Sequence, residues 1–353
     1  MTSPHRLASF VFTLLASCVL PALAADYPAP KEGDWTAKGF RFHTGETMDV
    51  TLHYRTVGEP TGEPVLVLHG TGGSGASMLT KGFAGELFGA GQALDASRYY
   101  LILPDALGTG KSTRPSSGLH ARFPQYDYDD MVRAQHLLVT EGLGVKHLRL
   151  VIGNSMGGMQ AWMWAEAWPG YMDAIVPMAC LPTAMAGRNW MLRRMFTQAI
   201  RDDPEWNGGE YTSQPKRMPF YLTYHSLATS GGNQALFHKA PTSAEGDAHI
   251  RKGLETPFKG DANDVLFQWE SSFDYDPSAG LDRIEAAVLA INSSDDERNP
   301  REFGVMEREI QRVKNGRYLL LQGGPDTAGH GTTGMARLYK ADVARLLADA
   351  PRR

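Results

Sequence analysis

Gly153-Asn154-Ser155-Met156-Gly157 is the stretch on which the fold turns. It follows the apolar run from His147 and precedes a helix-like segment, Met156 to Trp168, that Pro169-Gly170 closes. A G-x-S-x-G sequence between a strand and a helix predicts a sharp turn. The serine there takes a strained backbone conformation that only small neighbours permit. Its hydroxyl then stands at the strand's C-terminal end, beside the positive end of the following helix. That placement suits a nucleophile, and it makes the context more informative than the five letters alone.

Working outward, two more compact apolar runs, Pro64–Gly70 and Tyr99–Leu107, each end in a glycine-rich or polar turn. With the run at His147–Ser155 they read as buried parallel strands whose two faces are covered by helices. Between the second and third, Asp127 is placed to cap a helix with Met131, Ala134 and Leu138 on one face, stopped by Gly142 and Gly144. Residues 25–38 read as an extended polar leader. Partial alternation from Phe40 to Val57 suggests an antiparallel strand pair. From Leu181 to about Gly280 the rhythm breaks into helical patches rich in Trp, Met, Arg and Gly. Strand-like runs resume at Ala286–Asn292 and Arg317–Gln322, and a final helix carries Met335, Leu338, Tyr339, Val343 and Leu346. The expected organisation is a mostly parallel, doubly wound α/β sheet built from 25–180 and 281–353, with 181–280 inserted as a helical cap.

A serine hydroxyl is a weak nucleophile until a base takes its proton, and in this architecture the order is Ser, then Asp or Glu, then His. Thr327-Ala328-Gly329-His330-Gly331 follows the last strand, which makes His330 the expected base. Asp296, in Ser294-Asp295-Asp296-Glu297, is the favoured orienting acid, with Asp295 as the alternative; capping of the next helix is the structural reading of both. The oxyanion of a tetrahedral intermediate needs donors, for which the backbone N–H of Met156 and that of Thr71 are chosen, Gly72 being second to Thr71. Gly70-Thr71-Gly72-Gly73-Ser74-Gly75 also matches a dinucleotide fingerprint, but that reading leaves the serine turn and the late acid and histidine unexplained. Gly110-Lys111-Ser112 resembles a phosphate loop, yet Asp105 stands where its first glycine belongs and Pro115 falls inside the helix that should follow. Trp162, Trp164 and Trp168 read as helix packing. No metal-ligand spacing is present, and no cofactor is expected.

The bulk composition is that of a soluble globular chain: 353 residues, 42% hydrophobic, 21% charged, net charge −4. Nothing basic is concentrated enough to follow a nucleic-acid backbone. At the N-terminus, His5 and Arg6 precede an apolar run, Leu7 to Leu20, and Ala22-Leu23-Ala24 supplies small residues before a cleavage point. This is the pattern of a secretory signal peptide, residues 1–24, cleaved after Ala24. A run this short falls below the roughly 20 apolar residues of a membrane span. A buried N-terminal helix is the competing structural reading. Leu15-Ala16-Ser17-Cys18 also has the form of a lipoprotein box, although the residues after Cys18 stay apolar. Removal of the segment leaves Cys180 as the lone thiol, so no internal disulfide forms, which suits export to a bacterial periplasm. The expected mature chain has no transmembrane span.

By these features the chain resembles the homoserine O-acetyltransferase branch of the α/β hydrolases. The likeness is densest from Phe123 to Pro182, including Val132-Arg133-Ala134-Gln135 and Gly153 through Gln160, and it continues in Ala199 through Gly209. It implies the same three residues, Ser155, Asp296 and His330, as a catalytic triad. It also implies that Arg217, ahead of Thr223-Tyr224, helps bind a substrate carboxylate. Two positions depart from the branch. An aspartate that follows the histidine and holds the amine of homoserine is replaced by Gly331, and the loop after the first parallel strand reads His69-Gly70-Thr71-Gly72-Gly73 instead of H-A-L-T-G. The leading expectation is therefore an exported serine esterase acting on a small-molecule ester, because acetyl-CoA is not expected outside the cytoplasm. The alternative is an O-acyltransferase using the same acyl-enzyme, and a catalytically silent binding protein is the third reading. Gly72, Arg217 and Tyr224 are the candidate substrate contacts.

Overall fold

The structure is a computed structural model that describes residues 26–353; residues 1–24, read as a signal peptide from the sequence, and with them Cys18, lie outside the described residues. Eight strands form one sheet in the order β1-β2-β4-β3-β5-β6-β7-β8. They are β1 (Lys31–Arg41), β2 (Thr47–Val57), β3 (Glu63–Leu68), β4 (Tyr99–Pro104), β5 (Leu148–Asn154), β6 (Met172–Met178), β7 (Ala287–Ser293) and β8 (Gly316–Leu321). β1 pairs with β2 and β2 with β4 antiparallel. Every other pairing is parallel. Much of the stretch read as a polar leader belongs to β1. Lys31 to Ala37 pair in register with Thr56 back to Val50; Trp35, Ala37 and Phe40 reach the core, while the polar start of the strand is held by its pairing with β2.

The helices are α1 (Ala84–Leu87), α2 (Tyr128–Leu137), α3 (Met156–Ala167), α4 (Gly187–Arg201), α5 (Met218–Thr229), α6 (Asn233–Lys239), α7 (Ser243–Glu255), α8 (Ala262–Glu270), α9 (Val305–Glu309) and α10 (Lys340–Asp349). The final helix thus starts later than its apolar spacing suggests, with Met335 and Leu338 in the short turns before it.

Successive residues of β3 enter different cores, which is the geometry of a sheet covered on both faces. Leu66 and Leu68 pack with α2 and α3 (Met131, Trp162, Trp164). Val65 and Val67 pack with α10 (Val343, Leu346) on the opposite face. Each large apolar side chain fully buried this way contributes about 1.5–3 kcal/mol. The tryptophans of α3 and its C-terminal cap are packing residues: Trp164 donates from Nε1 to Gln135 at 3.0 Å, and Trp168 stacks on His136.

Five helices, α4 to α8, intervene between β6 and β7 and carry a small core of their own (Phe196, Ile200, Trp206, Met218, Leu266, Trp269). The Asp-Asp-Pro-Glu-Trp-Asn-Gly-Gly stretch at 202–209 is its hub. Trp206 donates from Nε1 to Asn263 at 2.8 Å, and Asn263 in turn donates to the Gly209 carbonyl at 2.8 Å. Gly209 sits at φ +88°, where an added Cβ would also meet Ala121 at 2.6 Å. Among the described residues no helix is long and apolar enough to cross a membrane.

Candidate active site

The turn between β5 and α3 is built around missing side chains. Ser155 sits at φ +56°, ψ −115°. A Cβ on Gly153 would lie 2.1 Å from the Gly157 carbonyl, and one on Gly157 would lie 2.3 Å from the Leu68 carbonyl in β3. Only glycine lets strand, turn and helix close this tightly, and the positive φ aims the serine out of the sheet rim.

Ser155 Oγ donates to His330 Nε2 at 2.8 Å, and His330 Nδ1–H donates to both oxygens of Asp296 at 2.9 and 3.0 Å. All three residues are buried, with 7%, 8% and 3% of their surface exposed. Burial holds the His330 ring below the usual histidine range, against the upward pull of Asp296. A neutral imidazole able to accept a proton is the result. Burial alone would raise the Asp296 carboxyl. The His330 ring, with donors from Asn299 Nδ2 at 2.9 Å and the Arg298 N–H at 2.8 Å, outweighs it and holds the acid below its ordinary value. Asp295 does something different: it accepts from the Thr327 hydroxyl at 2.6 Å and from Ser293, tying the acid loop to the histidine loop.

Met156 is the first residue of α3, so its N–H has no intrahelical acceptor. Thr71 lines the same cavity as Ser155, and its N–H donates to no group among the described residues, whereas the Gly72 N–H is taken by Gln268 Oε1 at 3.0 Å. His69 holds this loop from behind, donating from Nδ1 to the Gly70 carbonyl at 2.8 Å and accepting the Ala106 N–H at 3.0 Å. The cavity measures about 860 Å³ and runs from Gly70, Thr71, Ser155 and His330 out to α5, α6 and α7 of the inserted helices.

Asp105 explains both sequence decoys. Its carboxylate accepts from the Gly75 N–H at 2.7 Å, the Lys111 N–H at 2.8 Å and Arg55 at 3.0 Å. The two glycine-rich loops therefore spend N–H groups on an internal acid rather than on a phosphate. Gly110, at φ +56°, would place a Cβ 2.1 Å from Asp105 Oδ2. Among the described residues, His43, Asp127 and Asp130 are grouped closely enough to hold a metal ion. Their atoms are already engaged: Asp127 caps α2 by accepting from the Asp130 N–H, and Asp130 accepts from His43 and Arg133.

Residues 63–305 match the α/β hydrolase fold family. The chain belongs to the α/β-hydrolase family. It resembles that family's homoserine O-acetyltransferase branch. The homoserine O-acetyltransferase of Haemophilus influenzae is 30% identical over 281 residues, covering 70% of this chain and 77% of that protein. The homoserine O-succinyltransferase of Magnetococcus marinus is 30% identical over 299 residues, covering 76% and 71%. Among solved structures, homoserine O-acetyltransferase from Bacillus anthracis superposes with a TM-score of 0.77 at 22% identity, covering 92% of this chain and 99% of that one. The acetyl esterase MekB gives 0.77 at 23% identity, covering 90% and 97%. At those identities the superpositions speak for the fold alone.

None of the three candidate substrate contacts, Gly72, Arg217 and Tyr224, lines the cavity. Arg217 and Tyr224 are both exposed and outside its lining; Tyr224 stacks on Phe220 on the outer side of α5. α5 instead turns Pro219, Leu222, Thr223 and Ser226 inward, a helical face that passes both residues by. Sequence reading missed Asn299, which locks the acid and also donates to the Ala179 carbonyl at 3.0 Å. It also missed Gln268 and the two arginines Arg193 and Arg298. Asn299 stands just before Pro300, three residues after the acid it holds, so its signal is local. Gln268 comes from α8, 196 residues beyond Gly72, and nothing local in the sequence marks it.

Proposed function

We propose that the protein is an O-acyltransferase that moves a small acyl group through an ester on Ser155 to the hydroxyl of a second substrate. The observation that carries this reading is the unbroken chain from Ser155 Oγ through His330 to Asp296, opening on the cavity beneath the inserted helices. Relatives that this chain matches over most of their length are homoserine O-acyltransferases, which favours transfer over hydrolysis.

Ser155 Oγ attacks the donor carbonyl while His330 Nε2 takes its proton. The N–H groups of Met156 and Thr71 face the oxyanion, and the leaving group departs with the proton from His330. The accepting alcohol then gives its proton to His330, attacks the acyl carbonyl, and leaves as an ester with Ser155 Oγ reprotonated. Gly331 and the outward Arg217 remove the features through which the branch holds homoserine, so the acceptor is a different alcohol.

Hydrolysis is the second reading, favoured by Gly331 and by the expected export of the chain to the periplasm, where CoA thioesters are not expected. Purified protein given p-nitrophenyl acetate, with and without a panel of alcohols, separates the two by mass spectrometry of products. Transfer predicts an acetylated acceptor made faster than free acetate, and Ser155→Ala abolishes both. Acetate alone, with every acceptor, overturns transfer and leaves an esterase.

A further inference from the structure

Three arginines are buried and a fourth, Arg298, is half-buried at the cavity wall, and the four fall into two kinds. Arg55 pairs with Asp105 at 3.0 Å and Arg149 with Asp173 at 2.8 Å. Arg193 and Arg298 have no carboxylate within ion-pair distance among the described residues. Arg193, on α4, is 2% exposed; its one hydrogen bond runs from Nη1 to the Trp269 carbonyl at 3.4 Å, and its Nε has no partner. Arg298 donates to the Thr229 carbonyl and to the hydroxyls of Thr229 and Ser230, but its Nη1 donates to nothing described, and the residue lines the cavity that contains Ser155. Asp296 and Glu297, its chain neighbours, spend their oxygens on His330, Asn299 and the Gly232 N–H.

The two guanidinium groups share one indole: their central carbons lie 4.5 and 5.7 Å from the centre of the Trp269 ring. Each is a positive charge that burial opposes. Burial, with Arg193 adding to it, holds Arg298 down to about 10. Asp296 and Glu297 offset part of that opposition from a distance, but neither forms an ion pair, and a buried charge without a close partner is costly. Beside the pair lie further unused polar atoms: the Tyr128 hydroxyl, which neighbours both Arg193 and Thr71, and Thr71 Oγ1. Gln268 Nε2 is also without a partner, on the residue whose Oε1 holds the oxyanion loop. Nearly all of these groups donate, and they gather next to Thr71 and Ser155.

We infer that Arg298, with Arg193 packed against the same Trp269 ring, forms a subsite for a carboxylate carried by the substrate a few bonds from the reacting carbonyl. This rests on the acyl-transfer reading and narrows it to anionic substrates. A planar guanidinium with a free edge suits a carboxylate, and the dry surroundings strengthen the contact. The carboxylate has two sources, a dicarboxylic acyl group or a hydroxy-acid acceptor, and the subsite serves whichever carries it.

The test begins with the wild-type protein. Ser155 acylation by p-nitrophenyl hemiglutarate is compared with p-nitrophenyl valerate, and transfer to 4-hydroxybutyrate is compared with transfer to its amide. In one arm kcat/KM favours the anionic member by at least ~30-fold. The preference collapses toward parity in Arg298→Met and Arg193→Met and is partly kept in Arg298→Lys. Should the methionine variants not fold, inhibition of the wild-type enzyme by glutarate but not by glutaramide carries the same information. Equal rates in both arms, or equal inhibition by the two, overturn the subsite while leaving acyl transfer intact. No acylation by any ester overturns the acyl-transfer reading itself.

Discussion

The rim of the sheet and the helices above it treat polar groups in opposite ways. At the rim the triad and its supports are held by neighbours: Asp296 accepts from His330, Asn299 and the Arg298 N–H, and His69 braces the loop that carries Thr71. Under the inserted helices, Arg193 Nε, Gln268 Nε2 and the Tyr128 hydroxyl are buried with no partner, and Arg298 keeps a free edge toward the cavity. A satisfied network fixes geometry and is complete without substrate, whereas unsatisfied buried donors mark where substrate completes the structure. On the acyl-transfer proposal, the first region sets the chemistry and the second sets what undergoes it.

The largest expected effect separates two adjacent acids at the rim. Asp296→Asn removes the charge that fixes the His330 tautomer and lowers kcat by about 10³–10⁴-fold. Asp295→Asn touches only the hydroxyls of Thr327 and Ser293. Its kcat stays within roughly tenfold, and its cost appears as about 1–3 kcal/mol of stability in denaturant melts. Equal kcat losses in the two variants would erase the division of labour between them.

Next in size is a steric effect. Gly157→Ala forces a methyl to within 2.3 Å of the Leu68 carbonyl, so the turn moves or the helix shifts away from β3. A loss of about 1–3 kcal/mol is expected, with a drop in acylation rate because Met156 and Ser155 move together. Gly331→Asp is the contrasting case. Its new Cβ meets only Ala328, at 3.5 Å, so the protein keeps its melting temperature within a few degrees. With the aspartate of the related transferases restored, the ratio of acyl transfer to homoserine over hydrolysis rises. An unchanged ratio would show that the amine contact is not what this chain lacks.

This contrast also describes what the sequence can and cannot tell. The strand runs, the serine turn, His330 and Asp296 are local patterns, legible because alternation, glycine placement and chain order each follow from backbone geometry. The β1 edge was not legible, since Lys31-Glu32-Gly33-Asp34 carries no apolar face and is held by pairing with β2. Arg193, Gln268, Trp269 and Arg298 come from three separate segments, and only the folding of α4 and α8 over the acid loop makes them neighbours. Arg217 looked better in one dimension than any of them, yet its position on α5 turns it away from the cavity.

The smallest expected effect joins the two regions. Burial, with Arg298 among the charged neighbours, depresses the His330 ring below the ordinary histidine value of about 6.5. A base with a depressed pKa is active once deprotonated, so kcat/KM on a neutral ester rises with pH through a point below that value and is level above it. Arg298→Met removes a positive neighbour, which makes protonation easier, and the acid limb moves toward higher pH by a fraction of a unit. Arg298→Lys keeps the charge and with it the wild-type limb, although it loses the planar edge. A strut that merely held Thr229 and Ser230 would change kcat or stability in both variants without moving the limb in either. Coincident limbs in wild type and Arg298→Met would mean that the charge beneath the helices does not reach the histidine at the rim.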